Sequence, residues 1–150
     1  MDIKPQSSVP QIFNRKNIEF NYYRTNAIYL KIADEITERI KETNLSYEYA
    51  LELNTKTINA SEKIIKTKLI KHLYKTAINN PKDKNILNFK SDEEYLALKN
   101  EAFDLVYSIL GLNTVNDLPG TLKQIFNSLK NKGLFIAAFW GQGTLYPLAE

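Results

Sequence analysis

Three segments decide the fold of this 150-residue chain: Phe103-Asp-Leu-Val-Tyr-Ser-Ile-Leu110, Leu118-Pro-Gly-Thr-Leu-Lys-Gln-Ile-Phe126 and Gly133-Leu-Phe-Ile-Ala-Ala-Phe139. The first is apolar on both faces, as a central strand of a parallel sheet must be. The second has helical spacing of its apolar residues, and the third is another apolar strand. Strand, helix and strand at this spacing predict a βαβ unit, and therefore an α/β fold with a parallel sheet.

The helix of this unit is predicted from about residue 118 to residue 131. Asp117 is a preferred N-cap residue, and Pro119 suits the first helical turn. Gly133 stands where a left-handed C-terminal cap belongs, and the strand after it is predicted over 133–140. The helix is expected to pack on the sheet through one apolar stripe, made of Leu118, Leu122, Ile125, Phe126 and Leu129.

Upstream of this unit, the chain predicts a helix and then a strand. Apolar residues recur at helical spacing between about residues 21 and 43, at Tyr29, Ile32, Ala33, Ile36 and Ile40. Tyr47-Glu-Tyr-Ala-Leu-Glu-Leu53 alternates as a strand does.

Residues 54–85 are predicted to be mostly helical and to lack a second strand. The reason is an uninterrupted stripe at a spacing of four residues, made of Ile65, Leu69, Leu73 and Ala77. A short strand over 86–89 and a helical turn at Ser91-Asp-Glu-Glu94 are predicted to follow.

Composition and charge exclude several functional classes. The net charge is +3, and no basic run is interleaved with aromatic residues, which argues against a nucleic-acid partner. No apolar run approaches the roughly 18 residues of a membrane span. The absence of cysteine and of an apolar N-terminal segment favours a cytoplasmic protein. The single histidine, His72, has no second metal ligand near it in sequence, so no metal site is expected.

Six motifs occur along the chain in the order in which one enzyme family places them: Ile12-Phe-Asn-Arg15, Asp92-Glu-Glu94, Phe103-Asp-Leu-Val106, Val115-Asn-Asp-Leu-Pro119, Gly133-Leu-Phe135 and Gly143-Thr-Leu145. With them the chain resembles the class I S-adenosylmethionine-dependent methyltransferases. The similarity is greatest to the branch that holds the malonyl-carrier-protein methyltransferase of biotin synthesis and the complex I assembly factors. It extends over about residues 12–40 and 85–147.

This resemblance implies a partial Rossmann-like methyltransferase fold with parallel central strands. Since Glu150 follows soon after the predicted fifth strand, the strands that end the family's sheet are expected to be missing. We therefore expect one truncated methyltransferase-like domain over 12–150, preceded by a disordered polar segment over 1–11.

The resemblance also implies S-adenosylmethionine as the cofactor and three residues that bind it. Glu52 matches the acid at the foot of the cofactor loop, and Asp92 matches the acid that accepts a hydrogen bond from the adenine amino group. Ser108 ends the best strand, at the crevice where such sheets bind ligands. No catalytic residue is assigned, because Asn113-Thr114 replaces the His-Trp pair of the family and an asparagine is not a general base.

Two departures from the family concern the cofactor itself. Asn54-Thr-Lys-Thr-Ile58 replaces the Gly-x-Gly-x-Gly loop, and Ile58 disfavours the positive φ that glycine allows. No strand ending in the acid that binds the ribose is recognisable between residues 58 and 86.

Three functions stay open on this basis. The chain is a degenerate or truncated methyltransferase without independent activity, a non-catalytic interaction module whose sheet a partner protein completes, or an active methyltransferase with an atypical cofactor loop.

Overall fold

The computed structural model of the chain describes residues 10–14, 26–55, 58–77 and 86–141. Helices and strands alternate through this part of the chain. The helices are α1 (Asn26–Glu42), α2 (Ile58–Ile65) and α3 (Leu118–Ser128), and the strands are β1 (Tyr47–Leu53), β2 (Ile70–Ala77), β3 (Leu87–Lys90), β4 (Phe103–Ile109) and β5 (Leu129–Ala138). No helix in these ranges is long and apolar enough to cross a lipid bilayer.

The strands form one parallel sheet in the order β3-β2-β1-β4-β5. The chain builds outward from β1 to β3, returns to the middle, and builds outward again from β4 to β5. The direction of construction therefore reverses between β1 and β4. In open parallel sheets, ligands bind at the carboxyl ends of the strands beside such a reversal.

Apolar clusters cover both faces of the sheet, as the predicted α/β fold requires. On one face α1 and α2 bury a cluster with members such as Ala33, Ile40, Ile64 and Leu105. On the other face α3 packs Ile125 with Val106, Leu51 and Leu53. The predicted stripe of α1 is confirmed, since Tyr29, Ala33, Ile36 and Ile40 are buried and Ile32 packs against them.

The predicted start of α3 is also confirmed. Asp117 is the N-cap, and its Oδ1 accepts a hydrogen bond from the Gly120 amide at 2.9 Å. A side chain at residue 120 would meet Asp117, since a Cβ built on Gly120 lies 2.2 Å from the carboxylate. Gly120 therefore lets the capping carboxylate close over the first turn.

The predicted end of α3 is wrong. The helix stops at Ser128, where the Leu129 amide donates to the carbonyls of Ile125 and Phe126, and β5 begins at once. Gly133 lies inside β5 and is not a helix cap. The pairing with β4 shifts between Phe103 and Leu105, so β5 bulges there, and Lys132 takes the positive φ of 64°.

The predicted inward face of α3 is partly wrong. Ile125 is buried, but Phe126 is 69% exposed. The buried positions are Thr121, Ile125 and Ser128, so two of the three are polar. Adjacent residues on a helix point about 100° apart, and only one of Ile125 and Phe126 reaches the sheet. The apolar pattern was misleading because hydroxyl residues occupy the inward stripe.

The prediction that residues 54–85 lack a second strand is wrong. Helix α2 ends at Ile65, and β2 pairs in parallel with β1, with Tyr49 beside His72 and Glu52 beside Lys75. Residues spaced by four share a face of a helix, but they also share a face of a strand, because four is a multiple of two. The stripe through Leu69 and Leu73 therefore fits both structures. The predicted strand over 86–89 corresponds to β3.

Candidate functional site

The candidate site lies at the carboxyl ends of β1 and β4. Asn54 and Thr55 follow β1, and Leu110 and Gly111 follow β4. Ser108 and Gly111 pack the two chain segments together, since the Ser108 hydroxyl donates to the Leu53 carbonyl at 3.0 Å. A Cβ at residue 111 would lie 2.4 Å from the same carbonyl oxygen, so only glycine permits this approach.

A row of buried polar side chains crosses three strands beneath this edge. Lys75 of β2, Glu52 of β1 and Tyr107 of β4 are neighbours in the sheet register. Lys75 Nζ lies 3.3 Å from Glu52 Oε1 and donates to the Ser61 hydroxyl of α2 at 2.9 Å. The Tyr107 hydroxyl donates to Glu52 Oε2 at 2.7 Å. Both charges are removed from water, since Lys75 is 2% exposed and Glu52 is 0% exposed.

The surroundings of Tyr107 in this row change the pKa of its hydroxyl group. Burial, then the negative charge of Glu52 and the hydrogen bond to it, raise the pKa of Tyr107 well above its ordinary value. The phenol therefore stays protonated and remains a donor to Glu52 throughout the physiological pH range. The carboxylate of Glu52 is held by an ammonium on one side and a phenol on the other.

Asn54 takes a left-handed conformation with a φ of 46°, at the place where the family's first loop glycine stands. Asparagine tolerates this region better than other non-glycine residues. Its amide donates to the Thr76 carbonyl at 3.1 Å, and its Nδ2 donates to Glu93 Oε2 at 3.3 Å. The beginning of the loop therefore keeps a glycine-like backbone, but its side chain is tied to the segment after β3. Lys56 lies outside the described residues.

The segment after β3 is a tight turn held against α3. Asp92 and Tyr95 form an isolated bridge, and Asp92 Oδ1 accepts from the Glu94 amide at 3.0 Å, so the predicted helical turn is a β-turn instead. Glu93 is buried, and its carbonyl accepts from Thr121 Oγ1 at 3.1 Å. This turn brings Asp92 to the same edge as Asn54 without a direct contact to Glu52.

The three residues assigned to the cofactor do not converge on one space. Glu52 and Tyr107 face the α1/α2 side of the sheet, whereas Ser108, the next residue of β4, faces the other side. Sequence reasoning missed Lys75, Asn54 and Glu93, which make most of the contacts here. An asparagine directly after a strand was a usable indication of positive φ. The sequence carries no such indication for Lys75, because residues 54–85 are predicted to be mostly helical.

Asp104 serves the architecture of the sheet. At the opposite edge it accepts from the Tyr49 amide at 2.9 Å and from Lys130 Nζ at 2.9 and 3.1 Å, and thereby links β1 and β5 across β4. Partial burial alone would raise the pKa of Asp104, but the hydrogen bonds from Tyr49 and Lys130 and the Lys130 charge outweigh it and lower the pKa.

His72 stacks on Tyr49, with 5.4 Å between the ring centroids. In the part of the chain that the structure describes, no three histidine, cysteine, aspartate or glutamate side chains come together as a metal site would need.

Known proteins place this architecture in one family. A methyltransferase domain family matches residues 34–137. The mitochondrial arginine-hydroxylase NDUFAF5 of Rattus norvegicus is 35% identical over 138 residues, which is 87% of this chain and 38% of that protein. The human protein is 34% identical over 128 residues, 80% of this chain and 37% of that protein. The chain therefore spans about two-fifths of the length of these relatives.

Solved structures agree on the fold. A putative sarcosine dimethylglycine methyltransferase from Galdieria sulphuraria has a TM-score of 0.62 at 12% identity, with 71% of this chain and 46% of that chain covered. A putative S-adenosyl-L-methionine-dependent methyltransferase from Methanococcus maripaludis has a TM-score of 0.61 at 15% identity, with 90% and 67% covered. With its five-stranded parallel sheet and its match over residues 34–137, the chain belongs to the class I S-adenosylmethionine-dependent methyltransferase domain family.

Proposed function

We propose that this domain is a methyltransferase-like protein that, as an isolated chain, binds S-adenosylmethionine weakly or not at all and transfers no methyl group. The observation that carries this proposal is the buried ion pair between Glu52 and Lys75. It engages the acid that the family resemblance assigns to the foot of the cofactor loop.

The negative charge of Glu52 is compensated by another side chain of the same domain. S-adenosylmethionine is cationic at its sulfonium and at its amino group, and a carboxylate attracts it only while the carboxylate charge is uncompensated. Here the Lys75 ammonium compensates that charge at 3.3 Å, and Tyr107 occupies the other oxygen. Separating a buried ion pair costs about 3–5 kcal/mol. We therefore expect Glu52 to add nothing to cofactor affinity.

Other positions that the resemblance assigns to the cofactor differ as well. The resemblance requires a carboxylate at the end of the second strand for the ribose hydroxyls, but Ile70–Ala77 contains no acid. The Ser108 hydroxyl donates to Leu53, and Asp92 Oδ1 accepts from the Glu94 amide. With Glu52 paired, Ser108 engaged and no acid on β2, three of the positions that the resemblance assigns do not fit the cofactor. Asp92 is the remaining assigned side chain, and the backbone conformation of Asn54 matches what the family's loop needs.

Isothermal titration of the full chain with S-adenosylmethionine, and separately with S-adenosylhomocysteine, tests the proposal. Losing two polar anchors at about 1.5–3 kcal/mol each weakens binding by roughly two to four orders of magnitude, from micromolar to millimolar. A dissociation constant below about 50 μM would contradict the proposal and favour an active methyltransferase. In that event Asp92→Ala should abolish the heat signal. A cooperative thermal unfolding transition, recorded on the same sample, is the control that the protein is folded.

A second candidate function, an interaction module, is favoured by strand β5. Among the described residues only β4 pairs with β5, so its other side is an open edge of the sheet. Residues 133–138 of this strand, and Phe139 and Trp140 directly after it, carry no charge, and Trp140 is 50% exposed. Long apolar edges of this kind recruit another strand.

We commit to a second copy of the chain as the occupant of this edge. Antiparallel pairing of two β5 strands about Ile136 places uncharged residues opposite each other through the centre. It also places Lys132 of one copy opposite Trp140 of the other, a favourable cation–aromatic neighbour. The edge is therefore complementary to itself.

A further inference from the structure

The side chain of Asn116 holds a segment that lies more than a hundred residues away in sequence. Its Oδ1 accepts from the amides of both Ile12 and Phe13 at 2.7 Å. Its Nδ2 donates to the Phe13 carbonyl at 3.2 Å and to Gln11 Oε1 at 3.3 Å. A carboxamide offers two acceptor positions and two donor hydrogens. Asn116 therefore spends its whole hydrogen-bonding capacity on residues 11–13.

Most of these contacts are hydrogen bonds to the backbone of residues 11–13. Three of the four involve peptide groups of Ile12 and Phe13, as a neighbouring strand would do. The side chains of the segment are not buried in exchange, since Ile12 is 75% exposed and Phe13 is 40% exposed. The segment is thus attached by hydrogen bonds rather than by apolar burial.

Asn116 is itself held in place by a hydrogen bond and by the helix cap that follows it. Its amide donates to Glu94 Oε1, and the Glu94 carbonyl accepts from Gln124 Nε2 of α3 at 2.9 Å. The next residue, Asp117, caps α3. Asn116 therefore joins the loop after β4 to the turn after β3, both at the carboxyl edge that forms the candidate site.

We infer that residues 11–13 form a strap across this edge and that Asn116 is its latch. Each exposed hydrogen bond contributes only about 0.5–1.5 kcal/mol net. Because none of the side chains of residues 10–14 that the structure describes is buried, the strap opens and closes while the rest of the domain stays folded. Opening frees the Asn116 carboxamide in the loop after β4, so the attachment of residues 11–13 to the carboxyl edge depends on one side chain.

Water-exchange NMR on the full chain tests the latch through the amide protons of Ile12 and Phe13. In the wild type both should exchange more slowly than an unstructured peptide of the same sequence. Asn116→Ala removes all four hydrogen bonds, so both amides should exchange at about the rate of the unstructured peptide, at least about tenfold faster than in the wild type. The matched control is Asn113→Ala in the same loop. It removes contacts to Leu110 and Trp140 but none to the strap, and should leave both rates unchanged.

Asn116→Asp separates the latch from a general loosening of the loop. The aspartate keeps the oxygen that accepts from Ile12 and Phe13 but loses the two donor hydrogens, so it should give intermediate rates. Unprotected Ile12 and Phe13 amides in the wild type, or equal rates in the wild type and Asn116→Ala, would overturn the inference. If Asn116→Ala does not fold, the wild-type rates and Asn116→Asp still decide it.

Discussion

Lys75 and Glu52 form the pair on which single substitutions should have the largest effect. Lys75→Met removes the ammonium and leaves a buried carboxylate with the Tyr107 hydroxyl and no counter-charge. We expect a loss of about 3–5 kcal/mol in the free energy of unfolding, measured by urea denaturation. Adding Glu52→Gln should recover most of it, because a neutral pair no longer needs compensation.

Lys71→Met, on the same strand, is the control for this pair. Its ion pair with Glu48 spans 3.5 Å between two exposed side chains, so its removal should change stability by less than about 0.5 kcal/mol. Equal effects of the two lysine substitutions would mean that the buried row is not coupled as described.

Asp104 should make stability depend on acid pH. Its pKa is lowered in the folded protein, so its contribution is complete above the unfolded pKa of about 3.9 and is lost as the pH falls through the folded pKa. Asp104→Asn keeps an oxygen for the Tyr49 amide but removes the charge that faces Lys130. Its destabilisation should be about 0.5–1.5 kcal/mol at neutral pH and should shrink toward zero in acid. Urea titrations of both proteins across the acid range measure this, and a constant difference would contradict it.

Helix α3 allows adjacent residues to be compared. Ile125→Ala should cost about 2–5 kcal/mol, because it opens a cavity in the cluster with Val106 and Leu51. Phe126→Ala, one residue further, should cost no more than about 0.5 kcal/mol, because Phe126 lies in solvent. Chemical denaturation of the two variants measures the difference, and a reversed order would place the other face of the helix on the sheet.

Elements were predictable from the sequence where composition and capping residues agreed on one structure. The apolar and aromatic segment 103–110 favours a buried strand, and Asp117 followed by Pro119 favours a helix start. The segment around Leu69 and Leu73 fitted helix and strand alike, and only its pairing with β1 decides between them. The candidate site was predictable as a strand edge, since Glu52 and Ser108 end neighbouring strands. The side-chain contacts at this edge were not predictable, because partners such as Gln11 and Asn116 are 105 residues apart in the sequence.

For the whole molecule, the open edge of β5 predicts a dimer whose stability can be lowered and restored by charge substitutions. Sedimentation velocity should find a monomer–dimer equilibrium within about 1–100 μM. Trp140→Lys places like charges opposite each other at both ends of the paired strands and should weaken the dimer. Adding Lys132→Glu should restore it, because the opposed charges are then complementary.

Two other results are informative about the edge. A chain that stays monomeric throughout this range would reject the second copy as the occupant. A dimer indifferent to both substitutions would place the contact elsewhere on the surface. Neither residue is buried, so folding should be unaffected.

The row of Lys75, Glu52 and Tyr107 also bears on how the chain finds its native sheet. Each member comes from a different strand, and the charges cancel only when β2, β1 and β4 align in the native register. A slip of one residue turns Glu52 to the opposite face of the sheet, toward the apolar cluster of Leu51 and Val106 and away from Lys75. We hypothesise that the row discriminates among competing alignments during folding. Replacing both charges, as in Glu52→Gln with Lys75→Met, should then preserve stability but allow several alignments. Multiple amide resonances for β1 residues would reveal them, and a single sharp set would refute the hypothesis.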